Sequence, residues 1–220
     1  MAEIKTVDVN WATSAEHSTS AEAVQYAIAS TLAKVLGWEL DGTKVYNTEK
    51  AFFQFEVSGS ATVYVNVGNG TVKCASIPAS VSASSTRGII YLHYVKTDKT
   101  VVVGITDNTV SRKLSCGIAQ TTDDNILLFG PHSNSTYPYC IFNENSTVSC
   151  TLPTANFSAN KAIAFRLPDP FKGGLCDDVY MLYYSPSTLS AETNIISISG
   201  KNFATLASSY SGHGAIMVKL

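Results

Sequence analysis

Charged side chains are scarce in this chain of 220 residues. They make up 15% of the sequence, against roughly 25% in an average soluble domain. The formal net charge is -2 at pH 7, and lysine and arginine nowhere form a cluster. Because binding to nucleic acid requires a basic patch that neutralises phosphates, the composition argues against nucleic acid as a partner.

Long apolar runs are lacking as well. No stretch approaches the roughly 20 apolar residues that a membrane-spanning helix needs. The first 20 residues do not contain a basic region followed by an apolar one, the pattern of a secretion signal. We therefore expect a soluble protein that is made in a cytoplasm and has no membrane as a partner.

Ordered sets of metal-binding or nucleophilic residues are also missing. The four histidines are scattered, no Cys-x-x-Cys pair occurs, and there is no Gly-x-Ser-x-Gly motif. An odd number of widely spaced cysteines is typical of buried free thiols rather than of a disulfide framework. The sequence therefore predicts no catalytic residue, no metal and no cofactor. The cysteines are Cys74, Cys116, Cys140, Cys150 and Cys176.

One acidic pair stands out. Asp177 and Asp178 precede a run of apolar and aromatic residues in "CDDVYMLYY". Neighbouring residues of an extended strand point to opposite faces, so the two carboxylates are not expected to act together on one substrate. We interpret them as solvent-exposed residues at the start of a buried strand. The segment "TTDDN", residues 121–125, is interpreted as a solvated turn rather than a cation site.

A single helix is predicted over residues 18–37. Thr19 or Ser20 can begin it, and Glu22 stands where a capping box with Thr19 requires it. Apolar residues recur at helical spacing, and Gly37 is a stop signal. The apolar positions are Val24, Ile28, Leu32, Val35 and Leu36.

Strand patterns follow the helix. Asn69-Gly70 predicts a tight hairpin turn with Val67 opposite Val72, which in turn places Val65 opposite Cys74 and Val63 opposite Ser76. A second hairpin is predicted over residues 87–105, around the polar turn at residues 96–99. Its first strand is apolar on both faces, so we expect that strand to be covered on both sides, with His93 packed inside.

The remainder of the chain predicts further short strands, with a tight turn at Gly200-Lys201. We therefore predict a mainly β fold of antiparallel sandwich or meander type, with one N-terminal α-helix. A soft boundary at residues 110–118 divides a helix-plus-meander domain, residues 1–115, from an all-β domain, residues 116–220. The two halves could also pack as one unit.

Tyrosine is abundant in a chain with few charges, and this combination suits contact surfaces. Tyr137, Tyr139 and Tyr210 fall in predicted loops, so they are candidates for an exposed contact surface. The alternative is that they cover the edge of the core.

Several segments resemble virion proteins of tailed bacteriophages. A helix ends in a phrase similar to "VLGWEL", a meander like "FFQFEVSGSATVYVNV" follows, and the chain closes with segments like "CDDVYMLYYSP", "ISGKNFATL" and "GAIMVKL". The resemblance implies a structural component of the tail, baseplate or neck, with a capsid-associated position as an alternative. Such a subunit would contact copies of itself in a ring or trimer, and other virion proteins.

Two other functions stay open. The first is a carbohydrate-binding or receptor-binding module at a tail tip or cell surface, with a host-surface glycan as its partner. The second is an enzyme such as a hydrolase, which would require a histidine and an acid to meet in a cleft. The sequence favours a non-enzymatic virion protein.

Overall fold

The computed structural model of the chain contains three antiparallel β-sheets and one α-helix among the residues that it describes. Those residues are 2–58, 62–70, 72–73, 77–82, 89–107, 114–131, 139–143, 146–150, 163–183, 194–198, 200–206 and 215–220. The predicted mainly β fold with an N-terminal helix is confirmed.

The helix and strands are as follows: β1 Glu3–Val9, α1 Ser20–Leu36, β2 Glu39–Asp41, β3 Lys44–Tyr46, β4 Ala51–Ser58, β5 Thr62–Asn69, β6 Val72–Lys73, β7 Ile77–Ser82, β8 Ile90–Lys96, β9 Thr100–Asp107, β10 Leu114–Gln120, β11 Ile126–Pro131, β12 Tyr139–Asn143, β13 Ser146–Cys150, β14 Ile163–Pro168, β15 Leu175–Tyr183, β16 Asn194–Ile198, β17 Lys201–Leu206 and β18 Ala215–Lys219.

Helix α1 forms as predicted. Thr19 is its N-cap, and the reciprocal bonds of a capping box join Thr19 and Glu22. Gly37 ends the helix in the left-handed conformation, with φ at 68°. The N–H of Trp38 then donates to the carbonyl of Ala33 at 3.0 Å, which closes a Schellman-type end and fixes where Trp38 lies.

A seven-stranded sheet in the order β1-β8-β9-β10-β11-β12-β13 lies at the centre of the molecule. Alternate residues of β9 belong to two separate cores: Val101 and Val103 pack with α1 and the β2–β7 sheet, and Val102 packs with the β14–β18 sheet. The prediction that β8 is covered on both sides is confirmed, since Leu92 lies in the first core and Val95 in the second. His93 is buried, as predicted.

The first predicted hairpin forms with a different register. Asn69 pairs with Val72 and Gly68 with Lys73, so Val67 does not face Val72 as predicted. The turn begins at Gly70, whose φ of 62° is the conformation that glycine adopts most easily. An Asn-Gly pair signals a turn, but which of the two residues enters the turn depends on the strands around it. Val65 pairs with Ile77 and Val63 with Val81, so their predicted pairings with Cys74 and Ser76 are wrong as well. Cys74 and Ser76 themselves lie outside the described residues.

The other turns follow the predictions closely. The turn between β8 and β9 occupies residues 97–99, within the predicted 96–99. Ile198 pairs with Lys201, so Lys201 already belongs to β17 and the tight turn falls one residue earlier than predicted. Residues 122–124, between β10 and β11, form the predicted exposed turn.

Strand β1 was not predicted. It pairs with β8, about 90 residues later in the chain, with Glu3 opposite Lys96. The central sheet takes strands from both sides of residue 115, because β9 pairs with β10. The proposed division at residues 110–118 stays a prediction. No helix in the described part of the chain has the length and apolarity to cross a membrane.

Candidate assembly surface

The acidic pair lies where the central sheet meets the β14–β18 sheet. Asp178 accepts hydrogen bonds from the hydroxyls of Thr97 and Thr100, the latter at 2.7 Å. Asp177 pairs with Lys99 at 3.1 Å and lies 3.8 Å from Arg166. Both carboxylates therefore hold the β8–β9 turn and its neighbours in place.

The local geometry differs from the alternation that the sequence predicts. Arg166 pairs with Tyr180, whereas Pro168 pairs with Leu175, so four residues of β15 lie opposite one residue of β14. This bulge interrupts the strict two-residue period. As a result both aspartates reach the same turn, although each binds different side chains there.

Two cysteines are buried free thiols, as predicted. Burial raises the pKa of Cys116 and of Cys176 to about 12. A thiol with such a pKa is protonated at neutral pH, and the nucleophilic form of cysteine is the thiolate. Cys74 lies outside the described residues, as do the side chains of Cys140 and Cys150.

The described histidines take part in packing. Nδ1 of His93 lies 2.9 Å from the hydroxyl of Thr6, and the ring of His17 stacks on Tyr26 with centroids 4.4 Å apart. Within the described ranges, no three His, Cys, Asp or Glu side chains are grouped closely enough to hold a metal ion. His132 and His213 fall in the gaps.

The predicted tyrosine contact surface stays a prediction. Tyr137 and Tyr210 lie outside the described residues. Tyr139 begins β12 and pairs with Pro131 and Cys150 through the backbone, but its side chain is not among those described.

A different surface is found at the edge of the β14–β18 sheet, whose strand order is β14-β15-β18-β17-β16. One row of side chains runs across this sheet: Val179 pairs with Val218, Val218 with Ala204 and Ala204 with Ile195. The first three are at most 1% exposed, whereas Ile195 is 62% exposed. Directly paired residues point to the same face, so the apolar inner face of this sheet continues beyond the part that the central sheet covers.

Strand β16 also offers backbone groups for pairing. In the described part of the chain it pairs only with β17. The edge strands β1, β2 and β14 each contain charged residues, which discourage pairing with another chain, whereas "IPASVS" in β7, "STVSC" in β13 and "NIISI" in β16 contain none. Strand β16 in addition carries the exposed Ile195. We call this feature the β16 edge.

No protein-family model, curated protein or solved structure matches the chain significantly. The resemblance to virion proteins therefore stays an expectation from the sequence.

Proposed function

We propose that the protein is a structural component of a tailed-bacteriophage virion, in the tail, baseplate or neck, and that it works through contacts between subunits. The observation that carries the proposal is the β16 edge, where an uncharged edge strand and an exposed isoleucine extend a buried apolar face. A second copy of the chain that paired there would bury Ile195 and satisfy the backbone groups of β16 that pair with no described strand.

The composition supports the same role. A chain with few charges and abundant tyrosine has a surface suited to broad contacts rather than to electrostatic capture of a ligand. The two described thiols are protonated, and the acidic pair is engaged with the β8–β9 turn. These side chains stabilise the fold. Subunit contact is therefore the activity that the described residues support best.

Light scattering on the purified protein tests the assembly part of the proposal. We expect a particle mass that is a multiple of the 23.5 kDa chain. Ile195→Asp is expected to weaken association by at least about tenfold, because it places a charge in a desolvated contact. Ile89→Asp is the matched control, since Ile89 is 46% exposed but lies just before β8, in a different sheet. A wild-type protein that stays monomeric at millimolar concentration would refute this part.

The place in a virion is tested separately. We expect the chain to be present in purified phage particles, and a label on its C-terminus to appear at the tail, baseplate or neck in electron micrographs. Particles that lack the chain would refute the virion role even if the purified protein formed oligomers.

A further inference from the structure

A cleft of about 240 Å³ lies beside Trp38, between the end of α1 and the central sheet. Its apolar floor consists of the side chains of Trp38, Val101, Ile118 and Ile126. Its rim is polar and comes from two turns, one between β3 and β4 and the other between β8 and β9. We call it the Trp38 cleft.

The side chain of Trp38 lines the cleft and is supported from within the protein. Its indole ring stacks on Phe53, with ring centroids 5.9 Å apart and 23° between the planes. Trp38 is only partly buried. A ligand in the cleft would therefore meet an aromatic side chain that is held in place by stacking.

Two amides on the rim are oriented by bonds to the protein. Oδ1 of Asn47 accepts from the backbone N–H groups of Glu49 and Ala51, at 3.0 and 2.9 Å. Nε2 of Gln120 donates to Asp124 at 3.0 Å. These bonds leave Nδ2 of Asn47 as a donor and Oε1 of Gln120 as an acceptor for a ligand.

The charges on the rim balance. The lining contains two lysines, Lys96 and Lys99, and two acids, Glu49 and Asp98. Both lysines are also held by the fold: Lys96 donates to the carbonyl of Leu36 at 2.7 Å, and Lys99 pairs with Asp177. Since Asp177 already neutralises Lys99, an anionic ligand would gain no net attraction, so the site suits a neutral ligand better than an anion.

The volume sets the size of the ligand. Sites for drug-sized molecules have volumes of roughly 300–1,000 Å³, and this cleft is smaller. A neutral ligand of one ring, with an apolar face for the indole and hydroxyls for the amides, matches every feature of the lining. We infer that the Trp38 cleft binds a single neutral sugar ring, such as the terminal residue of a glycan.

This inference is independent of the proposed assembly function and uses none of Tyr137, Tyr139 or Tyr210. Its test exploits the presence of only two tryptophans in the chain. In a Trp11→Phe background, Trp38 is the sole source of tryptophan fluorescence. The probes are the methyl glycosides of glucose, galactose, mannose and N-acetylglucosamine, together with methyl glucuronide as an acidic analogue.

We expect at least one neutral glycoside to change the Trp38 emission in a saturable way, with a Kd on the order of 1 mM. The glucuronide should bind no more tightly than the glucoside. By calorimetry, Trp38→Phe should weaken binding about tenfold, and Gln120→Ala about fivefold. Gln54→Ala, on the β2–β7 sheet and away from the cleft lining, should bind like the parent protein.

Three outcomes would overturn the inference. The first is no response to any neutral glycoside at about 100 mM, a concentration at which even weak sites fill. The second is tighter binding of the glucuronide than of all neutral sugars. The third is unchanged binding in Gln120→Ala, a variant that keeps Trp38 packing intact and so remains informative even if Trp38→Phe unfolds.

Discussion

At the scale of single residues, the adjacent side chains of Asp177 and Asp178 are expected to contribute differently to the stability of the fold. The pair of Asp177 with Lys99 is exposed, with 42% of each side chain accessible. Asp178 instead accepts a hydrogen bond from Thr100, a residue that is only 2% exposed. Burial of the partner makes the second contact harder to replace with water.

We therefore predict that Asp178→Ala lowers the free energy of unfolding by about 1–3 kcal/mol, because a buried hydroxyl loses its acceptor. Asp177→Ala should cost about 0–1 kcal/mol, as is usual for an exposed ion pair. Urea unfolding of both variants measures the difference. Asp178→Asn, which retains an acceptor oxygen, should recover part of the loss; equal effects of the two alanine variants would contradict the argument.

At the scale of elements, helix α1 could be predicted almost to the residue, and strand register could not. The capping box and Gly37 are local signals, so Thr19 and Glu22 fix the start of the helix without help from the rest of the chain. Register is a property of two strands, and here the Asn69-Gly70 signal located the hairpin but missed the pairing by two residues.

A prediction for the helix concerns its cap. Thr19→Ala should lower the free energy of unfolding by about 1 kcal/mol, since the N–H of Glu22 loses its acceptor. Thr31→Ala, inside the helix, removes the same atoms without a capping bond and should be neutral or slightly stabilising. Thermal unfolding followed by circular dichroism measures both. A loss of the same size at both positions would rule out the capping explanation.

The candidate surfaces were harder to foresee than the fold. The Trp38 cleft is built from four segments that are far apart in sequence, near residues 38, 47–49, 96–101 and 118–126. Nothing in the residues around Trp38 shows that Gln120 lies nearby. The β16 edge was hidden for a similar reason, because the exposure of Ile195 depends on where the central sheet ends.

At the scale of the whole molecule, the central sheet joins the two halves of the chain. Strand β10 contributes Cys116 and Ile118 to the core shared with the helix, and Ala119 to the core shared with the β14–β18 sheet. Unfolding of either core would expose one face of this strand to solvent. The two cores should therefore be lost together.

We predict a single cooperative unfolding transition in urea. Both tryptophans, Trp11 and Trp38, pack against the helix-side core, so their fluorescence reports on that side, whereas far-UV circular dichroism reports on all three sheets. The two probes should give the same midpoint. Two steps in circular dichroism, only one of them accompanied by a fluorescence change, would instead indicate halves that unfold independently.

The pairing of β1 with β8 bears on how the chain is synthesised. Strand β1 cannot complete its ladder until residue 96 has also emerged from the ribosome, because Glu3 pairs with Lys96. Until β8 has been synthesised, β1 lacks the strand with which it pairs. The charged side chains of Glu3, Lys5 and Asp8 help to keep the unpaired strand soluble. A fusion placed ahead of residue 3 would therefore adjoin a strand that stays without this partner until β8 has been synthesised.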